Sequence, residues 1–424
     1  MKRATLTLLI AMATTVVNLP CHPAHADQAL GARQLVEIAV EMNPQVKSMR
    51  AQWMSAVHSI KQNYAPADPI FTYLNVDSPK NPFTGATEHS YAVAQSFQFP
   101  GEALLQADQA GRNAEIARLS YEAAVRDLRA QVETAYYQTV LDDALWQVGQ
   151  ELLASLGQVL KVTQIAYSAN QVTQTDFISA EFDVTNQRLA QDQLRSARAN
   201  DRTNLNQLLY REPDAPLALD ENLKPAALET PVDRLTDLAT HVRQEILKAA
   251  LSAKNNQTAL TLARMEYLPN YTVGYEFDHF QVASAAPTVT ALQDHSIFVS
   301  VSLPIFFWIK QREDVTRAGY DLDAARENQM SIRNSTAATV TTLYRTAQTS
   351  YRSAAVERDT LIPLARQNFR VALIAYQAGK IDFVTLAAAL QSAYNARVAY
   401  LQSINQFLAA EVALEQAIGE PLPH

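Results

Sequence analysis

Histidine is the residue type in this sequence with the best chance of binding a metal ion, and the chain contains eight of them. Two lie near the amino terminus, and the others are His58, His89, His241, His279, His295 and His424. No two of them are four residues apart on a helix, and no cysteine accompanies them, whereas metal sites usually need such support. The spacing favours isolated surface histidines, with a cluster of His89, His279 and His295 beside predicted strand ends as the alternative.

Other catalytic patterns are missing from the sequence. It has no glycine-rich phosphate loop, no nucleophile elbow and no metalloprotease motif. A hydrolase with paired carboxylates would be supported only by aspartates and glutamates, which are common in any sequence. The sequence therefore predicts a protein that is not an enzyme and that uses no cofactor and no bound metal.

The amino terminus has the layout of a cleaved export signal. Two basic residues precede an apolar stretch at 4–17, and Ala24 and Ala26 supply the small residues of a cleavage site before Asp27. A lipoprotein signal ending at Cys21 is the alternative, but it needs small residues where the sequence has Asn-Leu-Pro. Cleavage after Ala26 would remove the single cysteine and leave no disulfide.

Charge and hydropathy restrict the partners of the exported chain. The sequence has 35 basic and 43 acidic residues, and loss of Lys2 and Arg3 leaves 33 against 43, a net charge of −10. This balance disfavours nucleic acid as a partner. No later window supplies the ~20 consecutive apolar residues of a membrane helix, so contact with a bilayer would have to come from strands.

The two halves of the sequence resemble each other. Leu35, Ala39 and Val46 recur as similar residues 200 positions later, and Tyr167 recurs as Tyr376, always in the same order. We therefore expect a signal at 1–26 and two repeats of one unit. The first covers 27–230, with strands at about 70–77 and 88–99 and a helical hairpin at 103–210. The second covers 231–424, with strands at about 270–279 and 295–304 and a hairpin at 310–418.

Proline placement predicts very long helices. No proline lies between Pro100 and Pro213, and Pro363 is the only one between Pro304 and Pro421, where we expect a kink or local unwinding. Each unit is predicted as a medium helix, two strands, a long helix and a returning helix. A helix from 103 to 168 would extend ~100 Å. The returning helix (173–209) and the leading helix (35–64) would stack end to end along it.

The predicted strands alternate between an oily face and a small or polar face. Such a face suits lipid contact, although a soluble half-buried sheet would alternate in the same way. Long helices would extend away from the sheet and leave the oily face uncovered, which favours the membrane. The predicted lipid-facing residues are Tyr91, Val93, Phe97, Tyr271, Val273, Tyr275, Ile297, Val299 and Val301. Trp308 follows the last strand and suits an interfacial aromatic belt or, alternatively, an aromatic core.

Four strands cannot close a barrel, and hydrocarbon tolerates no open sheet edge. Copies of the chain would therefore have to associate. Two copies would supply eight strands, which leave a barrel interior filled by side chains, whereas three copies would supply twelve strands and a wider interior. The predicted fold class is thus mainly α with a small β part, assembled as a trimer with a transmembrane barrel and a long helical barrel.

Taken together, the proline-bounded strands and the reversals after Tyr167 and Tyr376 resemble the TolC-like outer-membrane efflux family over almost the whole exported chain. Asn170 and Gly379 would form the tip turns, because both tolerate a left-handed backbone. The resemblance implies a homotrimer in outer-membrane lipid, a tunnel across the periplasm, and docking to a periplasmic adaptor and an inner-membrane efflux pump. The Phe99-Pro100-Gly101 junction is similar to the branch that serves heavy-metal pumps.

The same resemblance implies a gate at the periplasmic tip. Family members close it with carboxylates and a Tyr and Arg network; here the carboxylate position holds Asp176 in one copy and Thr385 in the other, and the arginine is absent. Asp176, Asp382, Tyr167 and Tyr376 are the candidates. The alternative is that Asp176 and Asp382 only favour a helix start, and that the tyrosines only pack.

The predicted function is a passive exit duct for metal cations or drugs. A soluble periplasmic coiled-coil scaffold or adaptor is the alternative, and it would be recovered as a soluble monomer or dimer. The sequence leaves the exported compound open.

Overall fold

The computed structural model describes residues 29–75, 86–221, 223, 225–281 and 291–422, with the side chains at 86–88, 280, 281, 291 and 292 excepted. The predicted export signal at 1–26, with Cys21, lies outside the described residues. The same holds for positions 76 and 77 of the first predicted strand and for His424.

The two halves of the chain contain helices and strands in the same order. The first half contains α1 (Ala32–Met42), α2 (Pro44–Tyr64), β1 (Ile70–Asn75), β2 (Ala86–Phe97), α3 (Glu102–Ser168) and α4 (Gln174–Leu208). The second contains α5 (Val232–Val242), α6 (Gln244–Met265), β3 (Tyr271–Gln281), β4 (Ala291–Val301), α7 (Lys310–Val356), a π-helical segment (Glu357–Leu361), α8 (Ile362–Gln377) and α9 (Phe383–Ile418).

Equivalent residues of the two halves are buried in equivalent places. Leu35 and Ala39 are fully buried against α3, and their counterparts Leu235 and Ala239 are buried in the cluster that contains Val340 of α7. The spacing of these residues by four places them on one face of each short helix. The core is therefore a series of clusters along the long helices rather than one central mass.

The leading helix of each half is divided, which the sequence analysis did not predict. Asn43 leaves the helix with ψ of 119° because Pro44 disfavours helical backbone in the residue before it. The Asn43 side chain then caps α2 by accepting from the amide of Gln45 at 2.8 Å. The second half divides at Arg243 with ψ of 125° and no proline, so packing of α5 on α7 and α9 decides the break there.

Two short helices flank each long one, as predicted. α3 is one unbroken helix of 67 residues and about 100 Å. α2 packs beside its first part, where Trp53 stacks on Tyr121, and α4 packs beside its second part. In the second half, the unwinding expected at Pro363 is observed as the π-helical segment just before it. Proline has no amide hydrogen, so the carbonyl four residues earlier loses its usual partner.

The strands form one antiparallel sheet in the order β1-β2-β3-β4. β2 and β3 belong to different halves and pair in register, so the sheet joins the two repeats. β2 ends at Phe97 rather than the predicted 99, because the Phe99 amide donates to the side chain of Asn270 instead of a strand. β4 covers Ala291–Val301 rather than the predicted 295–304. It begins earlier because the backbone at 291–294 still pairs with β3, although its side chains do not alternate between apolar and polar. It ends before Pro304, which has no amide to donate.

Among the described helices, none combines the length and the apolar character that crossing a membrane requires.

Candidate functional site: two helical tips and one strand face

The two helical tips have the same turn. Asn170 and Gly379 follow α3 and α8 with φ of 55° and 66°, the left-handed region in which asparagine and glycine are tolerated best. The Gln171 amide donates to the Ala166 carbonyl at 2.8 Å in the first tip, and Lys380 donates to Ala375 at 2.9 Å in the second. These bonds satisfy carbonyls that each helix end would otherwise leave free. Asn170 and Gly379 therefore both have a left-handed backbone at the end of a helix.

Asp176 belongs to a capping box at the start of α4. Its Oδ2 accepts from the Thr173 amide at 3.0 Å and from the Thr173 hydroxyl at 2.9 Å, and the Asp176 amide donates to the Thr173 hydroxyl at 3.2 Å. The two residues thus satisfy each other's free amides. In the single protomer the carboxylate has the helix-start role that the sequence analysis gave as its alternative.

Asp382 has the reciprocal position at the start of α9. It is the N-cap, and its Oδ1 accepts from the Thr385 amide at 2.9 Å. Bonds from the Thr385 hydroxyl and amide hold the pKa of the exposed Asp382 carboxyl below its usual value. Thr173 and Asp176 thus reappear as Asp382 and Thr385, with the two residue types exchanged. Each tip keeps one carboxylate, but the two differ in position by three residues, about one helical turn.

The tip tyrosines differ in environment. Tyr376 is 6% exposed, and its hydroxyl lies 3.1 Å from that of Thr163 on α3. Its ring also meets Phe383 edge to face. Tyr167 is 39% exposed and stacks on Phe177 of its own hairpin. Of these two tyrosines, Tyr376 is therefore the one that hydrogen-bonds to the other hairpin within the protomer.

A cleft of about 560 Å³ separates the two tips. Asp176 and Asp382 both line it, together with Tyr376 and both turn residues, Asn170 and Gly379. Of the predicted gate candidates, Tyr167 alone is not part of its lining. The structure therefore brings the two carboxylates to the same end of the molecule, beside one opening.

The sheet has one aromatic and aliphatic face. Pairing places odd-numbered residues of neighbouring strands opposite each other, so they point to the same side. One row across the sheet consists of Phe71, Val93, Tyr275 and Ile297, and another on the same face consists of Phe97, Tyr271 and Val301. All nine predicted lipid-facing residues lie on this face, and most of them, such as Val299, are exposed.

On β2, β3 and β4 the opposite face is mostly small and polar, whereas β1 adds the exposed Ile70 and Leu74 to it. Ser90 donates to the Glu276 carboxylate at 2.9 Å across β2 and β3. Phe298 is the one bulky residue in this part of β4, and its ring lies directly over Gly274, where a Cβ would come within 2.2 Å of it. Glycine at 274 is therefore what lets the Phe298 ring lie flat against β3 on this face.

Trp308 lies in the turn before α7, exposed and in edge contact with Phe306 and Phe307. The same turn exposes Leu303, Ile305 and Ile309. Exposed apolar groups in such number are unusual for a surface in water. The aromatic group is thus a surface feature of the protomer rather than part of its core.

The histidines near the strand ends pair with tyrosines. Tyr73 Oη lies 3.0 Å from His89 Nδ1, and Tyr275 Oη lies 2.6 Å from His295 Nδ1, so each hairpin has the same pair. Within the described part of the chain, no three His, Cys, Asp or Glu side chains are grouped so as to hold a metal ion.

Sequence reasoning missed several residues of these sites. Phe71 and Tyr73 share the apolar face, and their alternation in β1 was a signal that could have found them. Thr163 had no such signal, because its contact with Tyr376 joins residues 213 positions apart. The exchange of Thr173 and Asp176 for Asp382 and Thr385 was visible in the sequence once the cap positions were known.

Comparison with known proteins identifies relatives over nearly the whole chain. Residues 235–420 match the family model described as outer membrane efflux protein. The chain is 20% identical over 405 residues to the cobalt-zinc-cadmium resistance protein CzcC of Cupriavidus metallidurans, which covers 95% of this chain and 93% of that protein.

Solved structures share the fold. The outer-membrane channel OprN superimposes with a TM-score of 0.77 at 16% identity, covering 92% of this chain and 90% of that chain. The CmeC outer membrane channel of Campylobacter jejuni also gives 0.77, at 14% identity, covering 92% and 85%. The predicted combination of a small sheet and long helices is confirmed as the fold of these channels.

Proposed function

We propose that this chain, a TolC-like outer membrane efflux protein by its family match and its fold, is one subunit of a trimeric exit duct. The observation that carries the proposal is a sheet with one exposed apolar face, joined to helices of about 100 Å. A soluble scaffold would have to cover that face, and no described element lies over it. The relatives are outer-membrane channels, which favours the duct over the scaffold.

Closure of the sheet supports the trimer. β1 and β4 are the edges of the four-stranded sheet, and each has a neighbour on one side only. Open edges are costly in lipid, because unpaired backbone amides and carbonyls find no water there. Pairing of β4 with β1 of the next copy would close the sheet, and three copies give a barrel with room for a solute.

The helical part supports the same assembly. Ile178, Phe182 and Leu189 are exposed along α4, and Leu364 and Val371 are exposed along α8. Their spacings of four and seven residues place them along one side of each helix as apolar stripes. Neighbouring copies would cover these stripes and so extend the barrel into a helical tube across the periplasm.

The family role is transport, and we propose that the chain conducts solutes passively, without a catalytic step. It would receive them from an inner-membrane efflux pump through a periplasmic adaptor. The relative named for cobalt, zinc and cadmium resistance favours metal cations as the exported solutes. Trp308 and its aromatic neighbours would lie at the membrane interface.

The tips would form the periplasmic entrance. Three copies would place three Asp176 and three Asp382 carboxylates around one opening, which would favour cations over anions. Because the two carboxylates differ in position by about one turn, they would form two levels rather than one. The bond between Tyr376 and Thr163 would hold neighbouring hairpins together within each copy.

Substitution on the two sheet faces tests the duct. Val299→Asp would put a charge on the apolar face, and we expect loss of outer-membrane insertion and of the trimer in detergent. Ser300→Asp, one residue away on the small polar face, is the matched control and should insert. Equal recovery of both variants as a soluble periplasmic monomer would overturn the proposal in favour of the scaffold.

Neutral variants test the entrance separately. Asp176→Asn and Asp382→Asn keep an oxygen that can accept the cap bond but remove the charge. We expect the double variant to lose cation preference in planar bilayers, measured as the reversal potential in a salt gradient. An unchanged reversal potential would leave both residues with helix capping alone.

A further inference from the structure

Two carboxyl groups meet between α3 and α4, far from the tips. Asp142 of α3 is 5% exposed, and Asp201 of α4 lies within hydrogen-bonding reach of it. Two ionised carboxylates have only acceptors, so a bond between them requires that one of them hold a proton. The contact lies on the interface between the long helix and its returning helix.

The nearby cations are already used by another aspartate. Asp143 accepts from Arg198 Nε at 2.7 Å and from Arg202 at 2.8 Å. Arg198 is also fixed over the ring of Trp146, at 4.7 Å from its centroid. The charge of Asp143 is therefore compensated, whereas Asp142 forms no ion pair within the described part of the chain.

The other elements around the pair present neutral or distant groups. Asp142 accepts from Gln138 at 3.1 Å, and Gln138 in turn accepts from Asn405 of α9 at 3.3 Å. From the segment after α4, Glu221 accepts from Gln147, farther along α3. The pair thus belongs to a polar chain that links α9, α3 and α4.

Burial, followed by the bond to Asp201, raises the pKa of Asp142 to about 7. The charge of Asp143 acts in the same direction, whereas the bond from Gln138 opposes it. The proton on the pair is therefore retained at mildly acid pH and lost near neutral pH.

We propose that Asp142 and Asp201 form a pH-sensitive clasp that fastens α4 to α3. When one carboxyl is protonated, the two share a hydrogen bond across the interface. When both are ionised, they repel each other in a buried place beside arginines that already bind Asp143, and α4 is held less firmly.

The sign of the pH effect follows from the direction of the shift. The folded protein keeps the proton at pH values where the unfolded chain has lost it. The clasp is fully formed below the ordinary aspartate value of 3.8, and its contribution to stability is lost as pH rises through the folded value of about 7.

Helix α4 connects the clasp to the tip. α4 runs from Gln174 at the tip to Leu208, and Asp201 lies near its far end. If the tip is the entrance of a duct, as proposed above, looser attachment of α4 would ease its opening at neutral and alkaline pH.

The experiment compares melting midpoints of the detergent-solubilised protein between about pH 5 and pH 8. Asp142→Asn and Asp201→Asn replace the shared proton with a permanent amide donor. Asp192→Asn, on an exposed position of α4, is the matched control. We expect the wild type and the control to lose stability as pH rises, and both clasp variants to melt later than wild type at pH 8. Both variants should show a smaller pH dependence, of which a part persists because burial also raises the pKa of Glu411 to about 7.

Equal pH slopes in the wild type and both clasp variants would overturn the clasp. If Asp142→Asn does not fold, Asp201→Asn tests the same proton from the less buried side. Melting does not depend on conduction. The predicted melting behaviour in a protein that shows no channel activity would therefore support the clasp and contradict only the duct. The single-channel open probability, measured as a function of pH, then tests whether looser attachment of α4 eases opening of the tip.

Discussion

The two helical tips of this chain share a backbone and differ in their surroundings. Both turn at a left-handed residue, Asn170 or Gly379, and both begin the returning helix with a threonine and an aspartate. Tyr376 is nevertheless buried against the other hairpin, whereas its counterpart Tyr167 is exposed. The repeat preserved what the turn requires and diverged where one tip meets the other.

This difference follows from the arrangement of two similar hairpins side by side. The second hairpin has α3 as a neighbour within the protomer, so Tyr376 reaches Thr163. The first tip has its own Phe177 beside Tyr167. In the proposed trimer the next copy would provide the remaining neighbour. The tips are therefore expected to respond differently to equivalent substitutions.

The largest expected effect comes from the tyrosines. Tyr376→Ala would open a cavity in the core and leave the Thr163 hydroxyl without this partner, lowering the free energy of unfolding by about 3 kcal/mol. Tyr167→Ala is the matched variant and should cost less than about 1 kcal/mol in a dissociated protomer. Chemical denaturation measures both. Equal losses would break the comparison.

The turn residues should behave alike in spite of their different types. Gly379→Val would force a β-branched residue into the left-handed region, at a cost of about 1–2 kcal/mol. Gly379→Asn installs the residue that the first tip uses and should be tolerated. Thermal melting of both variants checks this, and destabilisation by asparagine equal to that by valine would show that the tips are not equivalent.

The cap of the first tip should contribute about 1 kcal/mol to the free energy of unfolding. Thr173→Ala removes the hydroxyl that accepts from the Asp176 amide, and we expect faster hydrogen exchange in the first turn of α4. Thr173→Ser, which keeps a hydroxyl, is the control. Unchanged exchange in the alanine variant would mean that the Asp176 carboxylate holds the helix start alone.

The smallest expected effect is on the stability of the protein at acid pH. The lowered pKa of Asp382 means that its contribution to stability is present above the ordinary value of 3.8 and is lost as pH falls through the lower folded value. Asp382→Asn should reduce the acid dependence of melting. Asp176→Asn serves as the comparison at the other tip. An identical acid slope in wild type and Asp382→Asn would contradict the assigned bond.

The sequence by itself determined the long helices, the alternating strands and the repeat. These features depend on local rules: proline placement bounded α3, a period of two assigned the nine apolar strand residues to one face, and Asn170 and Gly379 marked the turns. The heavy-metal relative was also anticipated from the resemblance.

Tertiary structure decided everything that depends on contacts between distant residues. The break at Arg243, the burial of Tyr376 beside Thr163 and the meeting of Asp142 with Asp201 join segments whose proximity no local pattern encodes. Composition shows that a carboxylate is present but not what surrounds it. Its charge, and hence its chemistry, depends on burial and on whether a neighbouring arginine is already paired, and only the packed helices fix both.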